Sequence, residues 1–294
     1  MLRKKGKFEK SLCFYMENNG QLTPSQTTDL LRTLGHTPVK KFGQNFLVDA
    51  NIVRKSLELA DVSEGDSVVE VGPGLGTLTG ALLEKGAKVY AVELDKRLYN
   101  YLLDHFKNNE NLDLINADAV DYPLAALPQE TEIFKIVANL PYAISTPWLD
   151  KVLAGKLPQR MSLMLQKEAA LRFAARNGSG EFSPISVFLS EAYDVLPPHK
   201  VSAACFHPRP AVDSMLLSLS KKSDAYIFAK KTRDIMRAVF SKRRKQIISI
   251  AKSAGEDSEI LLEWLDTVSD LPQNRRPETI ENKYWKELDK IVRR

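Results

Sequence analysis

Cysteine is nearly absent. Cys13 and Cys205 are the two among 294 residues, too few and too far apart for a disulfide framework or a paired-thiol metal or redox site, which fits a reducing compartment. Histidine is equally sparse: His36, His105, His199 and His207 stand singly, so no histidine-built metal centre is expected. No apolar run approaches the ~18 residues of a membrane span. The opening MLRKKGKFEKSLCFYM is basic but lacks the apolar stretch of a secretory leader. No repeat recurs along the chain. These absences point to a soluble, cytoplasmic protein without a membrane partner. What remains is ordinary globular composition, 44% hydrophobic and 27% charged, which excludes disorder. The length suits two domains or one large one, at roughly 150 residues per domain.

Charge is unevenly spread. The formal net charge is +5, yet residues 1–10 hold five basic side chains against Glu9, and residues 230–252 hold nine against Asp234. The rest of the chain is mildly acidic. Clustered basic charge fits a polyanion partner, because each neutralised phosphate releases condensed counterions. The run Ser241–Lys245 (SKRRK) lies between apolar Ala238, Val239, Phe240 and Ile247, Ile248, Ile250, the pattern of a packed amphipathic helix with a charged edge. A solvated helix face or a localisation signal would carry the same residues.

Residues 1–20 read as poorly ordered, with Met16 an alternative start. Thr23-Pro24 before Leu30, Leu31 and Leu34 predicts a short helix closed by Gly35. From Ser67 onward, strand and helix patterns alternate through Arg176, the signature of βαβ units in a mostly parallel sheet. Beyond a linker at Lys221–Asp224 the pattern turns helical. The fold class is therefore α/β, a doubly wound, mostly parallel sheet followed by a small helical domain.

VVEVGPGLGTLTGALL places Gly72, Gly74 and Gly76 in the turn after the first long strand. Glycines there let a ligand approach the backbone, and the next helix brings an electropositive N-terminus. Glu93 ends the following strand, where such folds place an acid on ribose hydroxyls. Asp118, after the next strand, suits an adenine amino group. The glycines run G-x-G-x-G, and Thr77 stands where a dinucleotide loop has its last glycine. Glu70 beside this turn favours a cationic ligand, so S-adenosylmethionine (SAM) fits better than NAD, the remaining alternative.

The next strand ends in Asn139-Leu140-Pro141-Tyr142, which matches the N/D-x-P-Y motif of methyltransferases acting on exocyclic amino groups of bases. An adenine N6 lone pair is delocalised and poorly nucleophilic. The Asn139 side-chain oxygen and a backbone carbonyl, that of Leu140, would accept both N6 hydrogens and aim the lone pair at a methyl donor. Alignment then carries the catalysis. Pro141 stiffens the loop, and Tyr142 offers a face to the extruded base.

With these motifs in order, the chain resembles the KsgA/RsmA family of small-subunit rRNA adenine N6,N6-dimethyltransferases, which has Dim-type and Erm relatives. KKFGQNFLVD (Lys40–Asp49) resembles the family's N-terminal motif, implying contacts with SAM from Gln44, Asn45 and Leu47. Gly72, Gly74, Glu93, Asp118 and Asn139 match its remaining cofactor contacts. MLQKE (Met164–Glu168) is another family block. FHPRPAVDS (Phe206–Ser214) matches the F-x-P-x-P-x-V-D-S loop, which implies that Phe206 faces the base opposite Tyr142, although an aromatic there also suits a core anchor. Phe240–Lys245 resembles an F-x-x-R-R-K block, implying rRNA contact by Lys242, Arg243, Arg244 and Lys245. Where relatives show Tyr-Gly-x-Leu-Ser-Val, this chain reads Phe182-Ser183-Pro184-Ile185-Ser186-Val187, a changed segment expected on the substrate pocket wall.

The resemblance implies an N-terminal extension over 1–39, partly disordered, a SAM-dependent methyltransferase domain over 40–222 and a helical rRNA-binding domain over 223–294. It implies a monomer, without metal, that dimethylates two adjacent adenosines in the 3′-terminal hairpin of 16S rRNA within a pre-30S-type particle. The rivals are an Erm-like enzyme acting on large-subunit rRNA, a non-catalytic assembly factor on the same fold, and a DNA adenine methylase. Leu140 disfavours the last, since DNA enzymes usually carry a second proline there.

Overall fold

Apolar runs too short for helices and flanked by turn residues set the core. Val68, Val69 and Val71 of β2 (Ser67–Val71) and Ile136, Val137 and Ala138 of β5 (Lys135–Asn139) are all buried, as strands covered on both faces must be. The computed structural model describes residues 22–38 and 43–294. The basic residues 1–10, Cys13, Met16 and the Lys40–Phe42 part of KKFGQNFLVD lie outside the described residues.

In chain order, α1 spans Pro24–Thr33, β1 Phe46–Leu47 and α2 Ala50–Leu59; after β2 come α3 (Thr77–Glu84), β3 (Lys88–Glu93), α4 (Lys96–His105) and β4 (Leu112–Asn116). After β5 come α5 (Ser145–Val152), β6 (Arg160–Gln166), α6 (Lys167–Phe173), α7 (Pro184–Ala192), β7 (Tyr193–Val195), β8 (His199–Val201), β9 (Phe206–His207) and β10 (Ser214–Lys221). Four helices close the chain: α8 (Lys230–Ser241), α9 (Ile247–Lys252), α10 (Ser258–Thr267) and α11 (Asn282–Val292). The sheet order is β4-β3-β2-β5-β6-β10-β7, with β8 also pairing β10. Strands β2 to β6 are parallel, and β10 runs antiparallel to β6. The order reverses between β2 and β5, and that reversal opens a crevice at the carboxyl ends of these strands.

Helix starts follow their capping residues. Thr23 and Gln26 form a capping box on α1, with Pro24 in the first turn, while Asp49 and Asp95 cap α2 and α4. The two-residue strand β1 pairs antiparallel with β9, Leu47 opposite Phe206 and Phe46 opposite His207. Alternation within β1 sends Leu47 into a cluster with Ile52, Val137, Met164 and Phe206, and Phe46 into another with Leu30, Leu31, Leu75 and Leu102.

Chain contacts divide the molecule into two compact units. Of the described residues, the first comprises 22–38, 43–152, Leu157–Ala170 and Val195–Ser220; the second comprises Leu153–Lys156, Leu171–Asp194 and Lys221–Arg294. The division is not the linear one at residue 222 that the sequence pattern suggests, because 171–194 fold with the C-terminal helices. The second unit has an aromatic core in which Trp285 stacks on Trp264 at 5.1 Å and meets Phe240 at 5.5 Å. Asp289, fully buried there, accepts the Ala229 N–H at 2.8 Å ahead of α8, along with the Tyr226 hydroxyl at 2.6 Å and Arg293 Nε at 2.6 Å. Among the described residues no helix is long and apolar enough to cross a membrane.

Candidate active site

Four strand ends converge on the crevice. β2 delivers the turn Gly72–Gly76, β3 ends in Glu93, Asp118 follows β4, and β5 ends in Asn139. Gly74 has φ +62, a conformation that favours glycine, and a Cβ there would press on the Phe46 ring at 3.1 Å. The cavity at this point is lined by the carboxylates Glu70, Glu93, Asp95 and Asp118, and by no lysine, arginine or histidine among the described residues. Such a lining repels a pyrophosphate and attracts a cation.

Glu93 is 5% exposed, and its Oε2 accepts the Gly74 N–H at 3.0 Å while Oε1 accepts the Asp95 N–H at 2.8 Å. Each oxygen has a further lone pair for a diol. Burial pushes the Glu93 carboxyl up to about 7, with the two amides opposing the shift. Glu70 accepts the Thr79 hydroxyl at 2.7 Å. Burial pushes its carboxyl up to about 8, partly offset by Thr79 and reinforced by Glu93. Asp118 Oδ1 accepts the Val120 N–H at 2.8 Å, and its second oxygen suits a ligand amino group.

Asn139 is held by a specific bond. Its Nδ2 donates to the Asn45 carbonyl at 2.9 Å, which assigns the two ends of the carboxamide and leaves Oδ1 as the acceptor for a ligand. Leu140, Pro141 and Tyr142 also line the cavity. The Tyr142 hydroxyl shares a hydrogen bond with Ser214 Oγ at 2.9 Å, and burial raises its pKa, so the ring stays uncharged.

The structure brings Gln44, Asn45 and Leu47 to the same cavity. It also supplies a residue to which sequence reasoning gave no role. His36, 7% exposed, places Nε2 3.0 Å from Gln44 Oε1, while Gln44 Nε2 donates to Asp95 Oδ2 at 3.4 Å. His36 Nδ1 lies 3.7 Å from the same Asp95 oxygen. The Gln44 carboxamide is thus gripped at both ends. A single histidine after a helix-ending glycine has no spacing signal, so only contacts reveal it. A second cavity shares Gly43, Gln44, Asn45 and Tyr142 with the first and is bounded further out by α1 and residues 207–211.

Residues 35–266 match the family model described as ribosomal RNA adenine dimethylase. The chain belongs to this family. It is 53% identical over 272 residues to the "Ribosomal RNA small subunit methyltransferase A" of Opitutus terrae, covering 91% of this chain and 98% of the relative. The protein of the same name from Shouchella clausii is 35% identical, covering 90% and 92%. Among solved structures, a dimethyladenosine transferase from Plasmodium falciparum superposes with TM-score 0.67 at 23% identity, covering 83% of this chain and 95% of that one. The 23S rRNA methyltransferase ErmE gives TM-score 0.60 at 23% identity, covering 85% and 100%. These two likenesses establish the fold, a Rossmann-like methyltransferase architecture, and family membership with that fold implies SAM as cofactor.

Three expectations, two from family motifs and one from the charge pattern, need correction. Phe206 does not face the base site: it is 3% exposed, packs among Leu47, Ile52 and Met164, and lines neither cavity. Burial of an aromatic ring is worth roughly 2–3 kcal/mol, which makes Phe206 the anchor of the loop that follows it. Phe182–Val187 lines neither cavity either; Ser183 and Ser186 form the capping box of α7. Finally, Lys242–Lys245 occupy the turn between α8 and α9 rather than a helix edge. Arg244 and Lys245 are exposed, whereas Arg243 donates to the Gly180 carbonyl at 2.9 Å and Lys242 to the Ser253 carbonyl at 3.4 Å.

Proposed function

We propose that this chain dimethylates the N6 amino groups of two adjacent adenosines in the 3′-terminal hairpin of small-subunit (16S) rRNA, using SAM, and that it acts as a cytoplasmic monomer on an assembling small-subunit particle. The observation that carries the reading is the tethered Asn139 carboxamide on the wall of an acidic cavity. The names of the 53% and 35% identical relatives favour the small subunit over an Erm-like large-subunit target.

SAM, when bound, supplies an electrophilic methyl group on a sulfonium. Glu93 fits its ribose hydroxyls and Asp118 its adenine amino group, while Gly72 and Gly74 allow backbone approach and Glu70 answers its positive charge. On the substrate side, Asn139 Oδ1 accepts one N6 hydrogen and the Leu140 carbonyl the other. This turns the N6 lone pair out of conjugation and toward the cofactor cavity. Tyr142 stacks on the extruded base, an interaction worth ~1–3 kcal/mol. Each transfer replaces one N6 hydrogen, which leaves as a proton. Positioning rather than a general base lowers the barrier. Arg244 and Lys245 offer exposed charge to rRNA phosphates.

The test combines purified protein, labelled SAM and unmethylated small-subunit particles with nucleoside mass spectrometry and an Asn139→Ala control. The expected product is N6,N6-dimethyladenosine in the 3′-terminal hairpin, abolished by the substitution. Particle binding without transfer would instead identify a non-catalytic assembly factor, and label confined to large-subunit RNA an Erm-like enzyme.

A further inference from the structure

The two adjoining cavities have opposite character. The cofactor cavity has four carboxylates and no basic side chain, whereas the outer cavity is lined by Arg32, Arg209, His36 and His207 and by no carboxylate among the described residues. Because they share Tyr142 and Asn45, anything bound in the outer cavity lies beside the segment that holds Asn139.

We propose that the outer cavity seats the nucleotides flanking the target adenosine, with Arg32 and Arg209 each pairing one backbone phosphate. The inference rests on the rRNA methyltransferase reading and extends it to residues outside the family motifs' cofactor and base contacts. An adenosine drawn out of its stack brings its neighbouring phosphates with it, and extrusion costs a few kcal/mol that contacts beside the pocket must offset. Arginine suits this role because its planar fork matches phosphate oxygens. Arg32 Nη1 already holds Asp29 Oδ1 at 2.8 Å. Both side chains are largely exposed, and the guanidinium has further N–H donors to spare.

The frame under these arginines is rigid. Thr28 Oγ1 and His207 Nε2 are hydrogen-bonded at 3.0 Å, joining α1 to the loop that carries Arg209. The β1–β9 pairing fastens the start of that loop, with Phe206 buried beneath it. Leu30 and Leu31 pack α1 against Phe46 of the same small ladder. Ordering entropy is therefore already met before RNA arrives. The separation of charge also sorts ligands: phosphates are repelled from the acidic cavity, and a cationic cofactor finds no lining carboxylate in the outer one among the described residues.

The test uses the full chain with Arg32→Ala, Arg209→Ala and the double variant. Affinity for S-adenosylhomocysteine is measured by calorimetry, and methyl transfer to unmethylated small-subunit particles is measured across a range of KCl concentrations. The expected result is cofactor-product affinity within twofold of wild type. Particle KM should rise about 5–10-fold per arginine, and the log–log salt slope should fall by roughly 0.7–1 for each phosphate contact removed. Arg→Lys at either site should restore the slope, since charge alone sets it. An active wild type with unchanged salt slopes in both variants overturns this inference alone, as does loss of cofactor-product affinity in step with KM, which would mark the arginines as structural. A wild type that binds S-adenosylhomocysteine but transfers no methyl group to particles overturns the underlying reading together with the inference.

Discussion

Replacing Glu70 by glutamine should flatten the dependence of stability on pH. In the folded chain this carboxyl titrates near 8 rather than near 4.5, because burial disfavours the anion more strongly than the Thr79 hydroxyl favours it. Between those values the folded state holds a proton that the unfolded chain has released. The stability involved is therefore fully present below about 4.5 and is lost as pH rises through about 8. At ~1.4 kcal/mol per pKa unit the loss is capped near 4–5 kcal/mol, and relaxation of the pocket brings the expected figure to about 2–3 kcal/mol. Glu93 shifts in the same direction and is present in both proteins, so their difference reports Glu70 together with its repulsion of Glu93. Glutamine keeps the length and an acceptor for Thr79 Oγ1 without ever ionising. Urea unfolding of both proteins at pH values near 5.5, 7 and 9 should show the variant gaining on wild type by most of that amount, about 1.5–2 kcal/mol, because the first part is already lost between about 4.5 and 5.5. A stability difference that stays constant with pH would refute the reasoning. SAM binding near pH 7 should also release a proton from wild type and less from the variant, because a cation favours the ionised carboxyl. Calorimetry in buffers of different ionisation enthalpy reads this directly.

Other perturbations address the grip on the cofactor site and the second unit. His36→Ala removes the partner of Gln44 Oε1; the loss of about 1–1.5 kcal/mol should raise the KM for SAM roughly 5–10-fold with kcat unchanged, and His36→Gln should recover part of it. Gly74→Ala forces a Cβ onto a backbone at φ +62, 3.1 Å from the Phe46 ring; thermal unfolding should report ~1–2 kcal/mol of destabilisation, with weakened cofactor binding. Asp289→Asn takes the charge from the acceptor shared by Tyr226, Ala229 and the half-exposed Arg293; denaturant unfolding should show a loss of about 1.5–3 kcal/mol.

Much of the site was legible because α/β topology gathers functional residues at strand ends, where hydrophobic runs stop. Gly72, Glu93, Asp118 and Asn139 each terminate or follow an apolar run, so reading the runs located the residues. The motif also supplied chemistry, since Asn-Leu-Pro-Tyr specifies an acceptor and an aromatic face. What escaped was set by contacts remote in sequence. β1 and β9 have two residues each, too few for any alternation to register, and their pairing is what buries Phe206. His36 meets Asp95 across 59 positions of chain and Thr28 meets His207 across 179, separations that no local pattern encodes. Residues 171–194 fall inside the 40–222 domain that the family resemblance implies, yet they fold with the C-terminal helices because Phe182 and Phe188 pack on Phe240 and Phe228.

The bond from Asn139 to the Asn45 carbonyl has a consequence for how this site can be altered or exchanged. Only a donor can make it: an aspartate at 139 would set carboxylate oxygens against a carbonyl oxygen and push the loop away. The choice between asparagine and aspartate at the head of the N/D-x-P-Y motif is therefore coupled to the course of a backbone segment 94 positions earlier. A chimera that grafts Asn-Leu-Pro-Tyr into another scaffold without the Asn45 loop would carry a freely turning carboxamide, and with it a pocket that has the right atoms in no fixed order.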